Sequence, residues 1–272
     1  MGTADFGFRT LRAGVAGLLT LMAAAGPAAA LTLDETVLSA GATGSVLTDV
    51  QQFSIGSSAL ITPTDPFGGF AELGVFQVTG LFDSAGLPIA STLNTGYGLY
   101  LTYVVTGTAT PVPGTASMVI TYSTANLVLF ADRNNDSTFT LIPGGAGPGG
   151  LPIDLAIGNM ADDAPIAINN GTNFTGSTTV VPISPTELLG FTDVTLYDWL
   201  LQPFGAAALA GDLFPNGLRL VSNTAVPIMP TGVGPILAST QELGTITFIP
   251  EPGSLALAAA GFAGLGCRRR RR

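Results

Sequence analysis

Asp132, Asn134 and Asp136 stand at alternate positions in the run Asp132-Arg133-Asn134-Asn135-Asp136, the densest polar cluster between residues 31 and 249. A calcium loop presents its first three oxygen ligands with that alternation. The rest of such a loop departs from the pattern: Ser137 replaces the turn glycine, and Pro143 falls where a bidentate Glu should be. A hairpin turn between residues 127–131 and 139–142 accounts for the same residues, since Asn and Asp tolerate left-handed backbone. The turn is the first reading and calcium the second. Asp162 and Asp163, with Asp154 upstream, form another acidic group. Paired carboxylates hydrolyse glycosides when held about 5–10 Å apart across a sugar. Adjacent residues on a strand point to opposite faces, however, and Asp-Asp before Ala-Pro reads as a solvated turn. Tyr97, Tyr100, Tyr103, Tyr122, Tyr197 and Trp199 could stack on sugars, yet most lie in strand patterns and read as core.

What is missing narrows the chemistry further. The chain has no histidine and no lysine, and its only cysteine is Cys267. Ser-His-Asp and Cys-His catalysis, Schiff-base lysines and Cys/His zinc sites are therefore excluded. No intrachain disulfide can form. Apart from calcium at Asp132, Asn134 and Asp136, no cofactor is expected, and neither is enzymatic activity. Between residues 31 and 249, sixteen acidic residues face only Arg133 and Arg219, a balance of −14. Nothing there can neutralise phosphates, so nucleic acid is not a partner.

These residues need a scaffold, and the scaffold reads as strands. Tyr97, Leu99, Leu101, Tyr103 and Val105 alternate at period two, as do Met118, Ile120 and Tyr122. Residues 127–131 are nearly all apolar, which suits a strand covered on both faces. Further strands are expected at residues 46–55, 72–79, 139–142, 153–157, 174–181, 218–222 and 243–249. Their number and spacing predict an all-β fold, an antiparallel β-sandwich or jelly roll. Helix is sparse. Ser184-Pro185-Thr186-Glu187 has the capping-box pattern and predicts one helical turn, and a second short helix is expected between Asp193 and Ala210.

The two ends carry targeting signals. Arg9 and Arg12 precede an apolar stretch over residues 13–25, Gly26-Pro27 breaks it, and Ala28-Ala29-Ala30 is a small-residue cleavage site. Residues 1–30 thus read as a signal peptide cut by signal peptidase after Sec export, with Ala28 and Ala30 at the cleavage positions. Residues 31–249 form the β-rich exported domain. Residues 250–272 form a tail: Pro250-Glu251-Pro252, an uncharged stretch to Cys267, then Arg268, Arg269, Arg270, Arg271 and Arg272. A helix over the uncharged stretch rises about 22 Å, short of the ~30 Å hydrocarbon core, and snorkelling arginines extend its reach. The arginine block stays in the cytoplasm by the positive-inside rule. An uncleaved N-terminal anchor and a plain tail anchor are the alternatives.

The order of motif, short apolar helix and arginine cluster resembles the PEP-CTERM protein-sorting domain. That resemblance implies an exosortase partner in a Gram-negative bacterium that makes exopolysaccharide. It further implies a transient inner-membrane hold, cleavage near Pro250-Glu251-Pro252, and a final address at the cell surface or in the extracellular matrix. Prolines keep that segment extended and outside the helix, where a membrane protease can grip it. Gly96-Tyr97-Gly98-Leu99-Tyr100, followed by residues 127–138 with their apolar strand and Asp-rich turn, is similar to the flocculation-associated PEP-CTERM family. This implies a part in floc or biofilm formation with exopolysaccharide. A carbohydrate-active enzyme using paired carboxylates and a purely structural envelope protein are the competing readings.

Overall fold

The first described element, β1 (Leu31–Asp34), runs into one helical turn, α1 (Glu35–Leu38), because Asp34 caps it. Asp34 Oδ1 accepts from Thr36 N at 3.0 Å, which satisfies one of the helix's open N–H groups. β2 (Val46–Val50) returns to pair with β1. The structure, a computed structural model, describes residues 30–65, 68–171, 173–184, 187–210, 217–227, 236–238 and 243–249.

β3 (Gln52–Pro63), β4 (Gly69–Phe82), β5 (Gly98–Pro111) and β6 (Met118–Asp132) form an antiparallel meander. β7 (Thr138–Pro143) and β8 (Ile153–Gly158) pair with each other, and β9 (Ala164–Gly171) returns to β6. β10 (Phe174–Ser184) and β11 (Glu187–Tyr197) make a hairpin. β12 (Trp199–Leu201) pairs with β9, and α2 (Pro203–Ala208) starts on its proline. β13 (Gly217–Pro227), β14 (Ile236–Ala238) and β15 (Leu243–Ile249) follow.

Pairing closes the sheet. β3, β4, β5, β6, β10, β11, β13 and β15 form an eight-stranded antiparallel barrel, each strand bonded to the next and β15 bonded back to β3. The expected sandwich or jelly roll is corrected to this barrel. Alternation marks which face of a strand is buried in either architecture; it does not say which strands pair. The closing contact is β6 with β10, where Met118, Val119 and Ile120 meet Val180, Thr179 and Thr178. β6 can serve two neighbours because it is 15 residues long. Its second half pairs with β9 from Ala125 to Ala131. A register shift opposite Thr106 and Gly107 separates the halves and leaves Ser123 without a partner on β5. Such a bulge bends a strand, and closure needs a bend there.

Other expectations hold or shift for local reasons. Residues 118–123 and 127–131 are one strand, with Thr124 and Asn126 paired in between. The turn after Asp132 is not a hairpin between β6 and β7, since β7 takes β8 as its partner. Ser184 pairs with Glu187, so the expected helical turn there is the β10–β11 connection instead. The pattern Ser-Pro-x-Glu starts helices, but Glu187 opens β11 instead, and the long strands on both sides outweigh a four-residue signature. α2 falls inside the expected 193–210 interval.

Core packing follows the inward parity. Phe53 and Phe248 meet edge to face at 4.9 Å, and Leu101, Leu129, Leu218 and Ile246 are buried in the same cluster. Outside the wall, Leu60, Leu73 and Ile153 form a second cluster that covers β3 and β4 with the β7–β8 hairpin. Among the described residues no helix is long and apolar enough to cross a membrane. The expected C-terminal helix lies outside the described residues.

Candidate functional site

Asp132 ends β6, Asp162 closes a short 3₁₀ turn (Met160–Asp162), and Asp163 follows it. Their carboxylate oxygens lie within 4.8 Å of one another. The fold therefore merges two acidic groups that are about thirty residues apart in the chain. Asp132 is 5% exposed, and its Oδ1 and Oδ2 accept from Asp136 N (3.1 Å) and Ser137 N (2.9 Å). Asn135 takes left-handed backbone (φ 55) to make this turn. Asn134 and Asp136 are exposed. Asp136 offers its carbonyl to Asn159 Nδ2 at 3.0 Å. Asp154 stays on β8, where its Oδ1 accepts from Leu155 N.

Two hydroxyls converge on Asp163. Tyr100 donates to Oδ2, and Ser137 Oγ lies 3.0 and 2.9 Å from the two oxygens. Burial raises the Asp163 carboxyl above its ordinary range. The bonds from Tyr100 and Ser137 oppose the rise, and the Asp132 and Asp162 charges add to it. The Tyr100 phenol is pushed up too, first by burial and then by Asp163. Tyr100 is held between Phe130 (5.1 Å, stacked) and Phe139 (4.8 Å, edge-on). No arginine among the described residues compensates the cluster: Arg133 lies over the Phe204 ring at 5.7 Å, and Arg219 pairs with Asp193 at 2.7 Å.

Carboxylates at this spacing suit a hard divalent cation. Asp162 Oδ2, buried and without a hydrogen-bond donor, is the oxygen left over for one. The oxygens of Asp132 and Asp163 already receive protein donors, so those two bind the turn together as they stand. Of the tyrosines considered for sugar stacking, Tyr97, Tyr100 and Tyr103 are buried, and Tyr122 and Tyr197 are half-buried. Trp199 packs against the core.

The barrel interior holds a feature that strand patterns did not reveal. A cavity of about 100 Å³ is lined by residues that include Ala59, Glu72, Tyr103, Ala125, Thr178 and Ser222. Tyr103 Oη donates to Glu72 Oε1 at 2.7 Å. Tyr122, Thr178 and Thr192 join their hydroxyls in a chain at 2.7 and 2.8 Å. One signal for it was present: Glu72 shares the parity of the buried Phe70, Phe76 and Val78.

Comparison with known proteins adds one match, at the far end of the chain. The family model described as the PEP-CTERM protein-sorting motif matches residues 248–271. The chain carries a PEP-CTERM sorting signal. No curated protein and no solved structure matches the chain. The PEP-CTERM signal implies recognition by an exosortase, and export to the cell surface or the extracellular space. Pro250, Glu251, Pro252 and the block Arg268 to Arg272 fall in or beside the matched segment and outside the described residues. Ala28 also lies outside them, while Ala30 is the first described residue and is exposed.

Proposed function

We propose that this PEP-CTERM protein is a non-enzymatic surface or matrix component that associates with exopolysaccharide and helps cells aggregate into flocs or biofilm. The sorting motif at residues 248–271 carries the reading, because it addresses the domain to the surface where exopolysaccharide accumulates. Charge supports it. The balance of −14 between residues 31 and 249 lets divalent cations bridge surface carboxylates to anionic polysaccharide. The absence of histidine and lysine fits a role without catalysis.

The test is deletion of residues 250–272 in the producing cells. Surface protein and aggregation should fall together, and chelation of divalent cations should disperse wild-type aggregates. Aggregation that persists with the protein gone from the surface rejects the matrix role. Unchanged aggregates after chelation reject the bridging. Polysaccharide turnover by wild type that is lost in Asp162→Asn or Asp163→Asn would replace this reading with a hydrolase.

A further inference from the structure

An eight-stranded barrel is just wide enough for side chains to fill it or for one small molecule to sit inside. The sizes of the inward residues decide between the two. Around Phe53, Phe248, Leu101 and Ile246 the interior is filled by aromatic and branched side chains. Farther along the same barrel the inward positions become Ala59, Ala125, Gly190 and Ser222, and the cavity opens. About 100 Å³ there admits the centres of water-sized molecules. One ordered water needs only ~10–15 Å³ by that measure.

The lining is mostly apolar, with polar groups at two places. On β4, Glu72 holds its carboxylate against the cavity and accepts from Tyr103. Tyr103 lies flat on the wall, stacked on Phe76 at 4.5 Å and 18°. Only glycine at 74 allows this, because a Cβ there would stand 2.6 Å from the phenol carbon. Two to four strands round the ring, the Tyr122–Thr178–Thr192 hydroxyl chain faces the same space from β6, β10 and β11. A carboxylate in an apolar cavity attracts hydrogen-bond donors and repels anions. Hydroxyls opposite it can donate or accept.

We propose that the barrel lumen binds one small, predominantly apolar molecule that carries a hydrogen-bond donor and no negative charge. Small inward residues make the room, Glu72 with Tyr103 selects the donor, and the hydroxyl chain orients the far end.

Two fluorescent probes with one skeleton test this on protein isolated from the producing cells. N-phenyl-1-naphthylamine is neutral with a single N–H; 8-anilinonaphthalene-1-sulfonate adds an anion. Wild type should bind the neutral probe saturably, at one site, and about tenfold more tightly than the sulfonate. Glu72→Gln keeps an acceptor for Tyr103 and should narrow that ratio severalfold. Val105 lines the cavity beside Ala125; Val105→Phe and Ala125→Met fill the lumen and should weaken the neutral probe by about tenfold, with folding checked by circular dichroism. No saturable binding by wild type overturns the proposal, as does full affinity in a folded, lumen-filled variant. An unchanged ratio in Glu72→Gln overturns the selectivity. Should neither filled variant fold, the Glu72→Gln ratio decides alone.

Discussion

The phenol of Tyr100 donates to Asp163 Oδ2 at 2.5 Å, tying the start of β5 to the turn that precedes β9. Sixty-three residues separate the two in sequence. The bond matters because it holds a carboxylate that burial and two neighbouring acids discourage from ionising.

Asp163→Asn follows from this. A carboxyl raised in the folded state contributes stability that is complete below the ordinary carboxylate range and is lost as pH rises through the raised value. At neutral pH the ionised Asp163 is therefore a net cost, and Asn keeps one oxygen for Tyr100. The variant should gain about 0.5 kcal/mol at neutral pH, modest because solvent screens the site. The gain should vanish at about pH 3, where wild type is protonated. Urea unfolding at the two pH values measures it, and a variant less stable at neutral pH rules out the charge argument.

The Asp193–Arg219 pair runs the other way. Both side chains are more than half exposed, and the fork is bidentate at 2.9 and 2.7 Å. The Arg219 bond holds the Asp193 carboxyl below its ordinary range, so its stabilisation is present above that range and lost as pH falls through the lowered value. Exposure keeps the effect small. Arg219→Ala should cost about 0.2–1 kcal/mol in dilute buffer and less in about 1 M salt.

These contrasts show what a reader of the sequence could and could not see. Strand faces were visible, because Tyr97 to Val105 and residues 243–249 alternate whatever they pair with. Partners were not, because the pairing of Ile120 with Thr178 leaves no mark on either segment. Asp132 and Asp163 looked like separate turns, since each is surrounded locally by turn residues and only the route through β7 and β8 brings them together. Ser184 to Glu187 misled for a related reason: a four-residue signature fits a helix start and a strand connection alike. Glu72 was readable as an acid on the buried parity. Its placement against a cavity depended on barrel closure.

Gly74→Ala tests the crowded wall. The added Cβ would stand 2.6 Å from Tyr103 Cζ and 2.7 Å from the Ser58 carbonyl oxygen. A side chain can turn aside; a backbone carbonyl in a β3–β4 ladder cannot. The cost should be about 1–3 kcal/mol by urea unfolding. Adding Tyr103→Ala should not restore stability, because the Ser58 contact remains. Full recovery in the double variant would assign the whole penalty to the ring.

The barrel's weakest line should be its closing seam. β6 and β10 share three residue pairs at Met118, Val119 and Ile120, whereas β4 and β5 pair continuously from Gly69 to Gln77. A short ladder has few hydrogen bonds to break, so local opening there costs less than global unfolding. The Thr178 hydroxyl reinforces the seam by bonding Tyr122 on one side and Thr192 on the other. Thr178→Val keeps the shape and removes both bonds, at about 1–2 kcal/mol. Hydrogen exchange should show the amides of Val119 and Thr179 exchanging faster than those of Leu73 and Val104, and faster still in Thr178→Val. Equal protection across all four positions would mean that the barrel opens only as a whole.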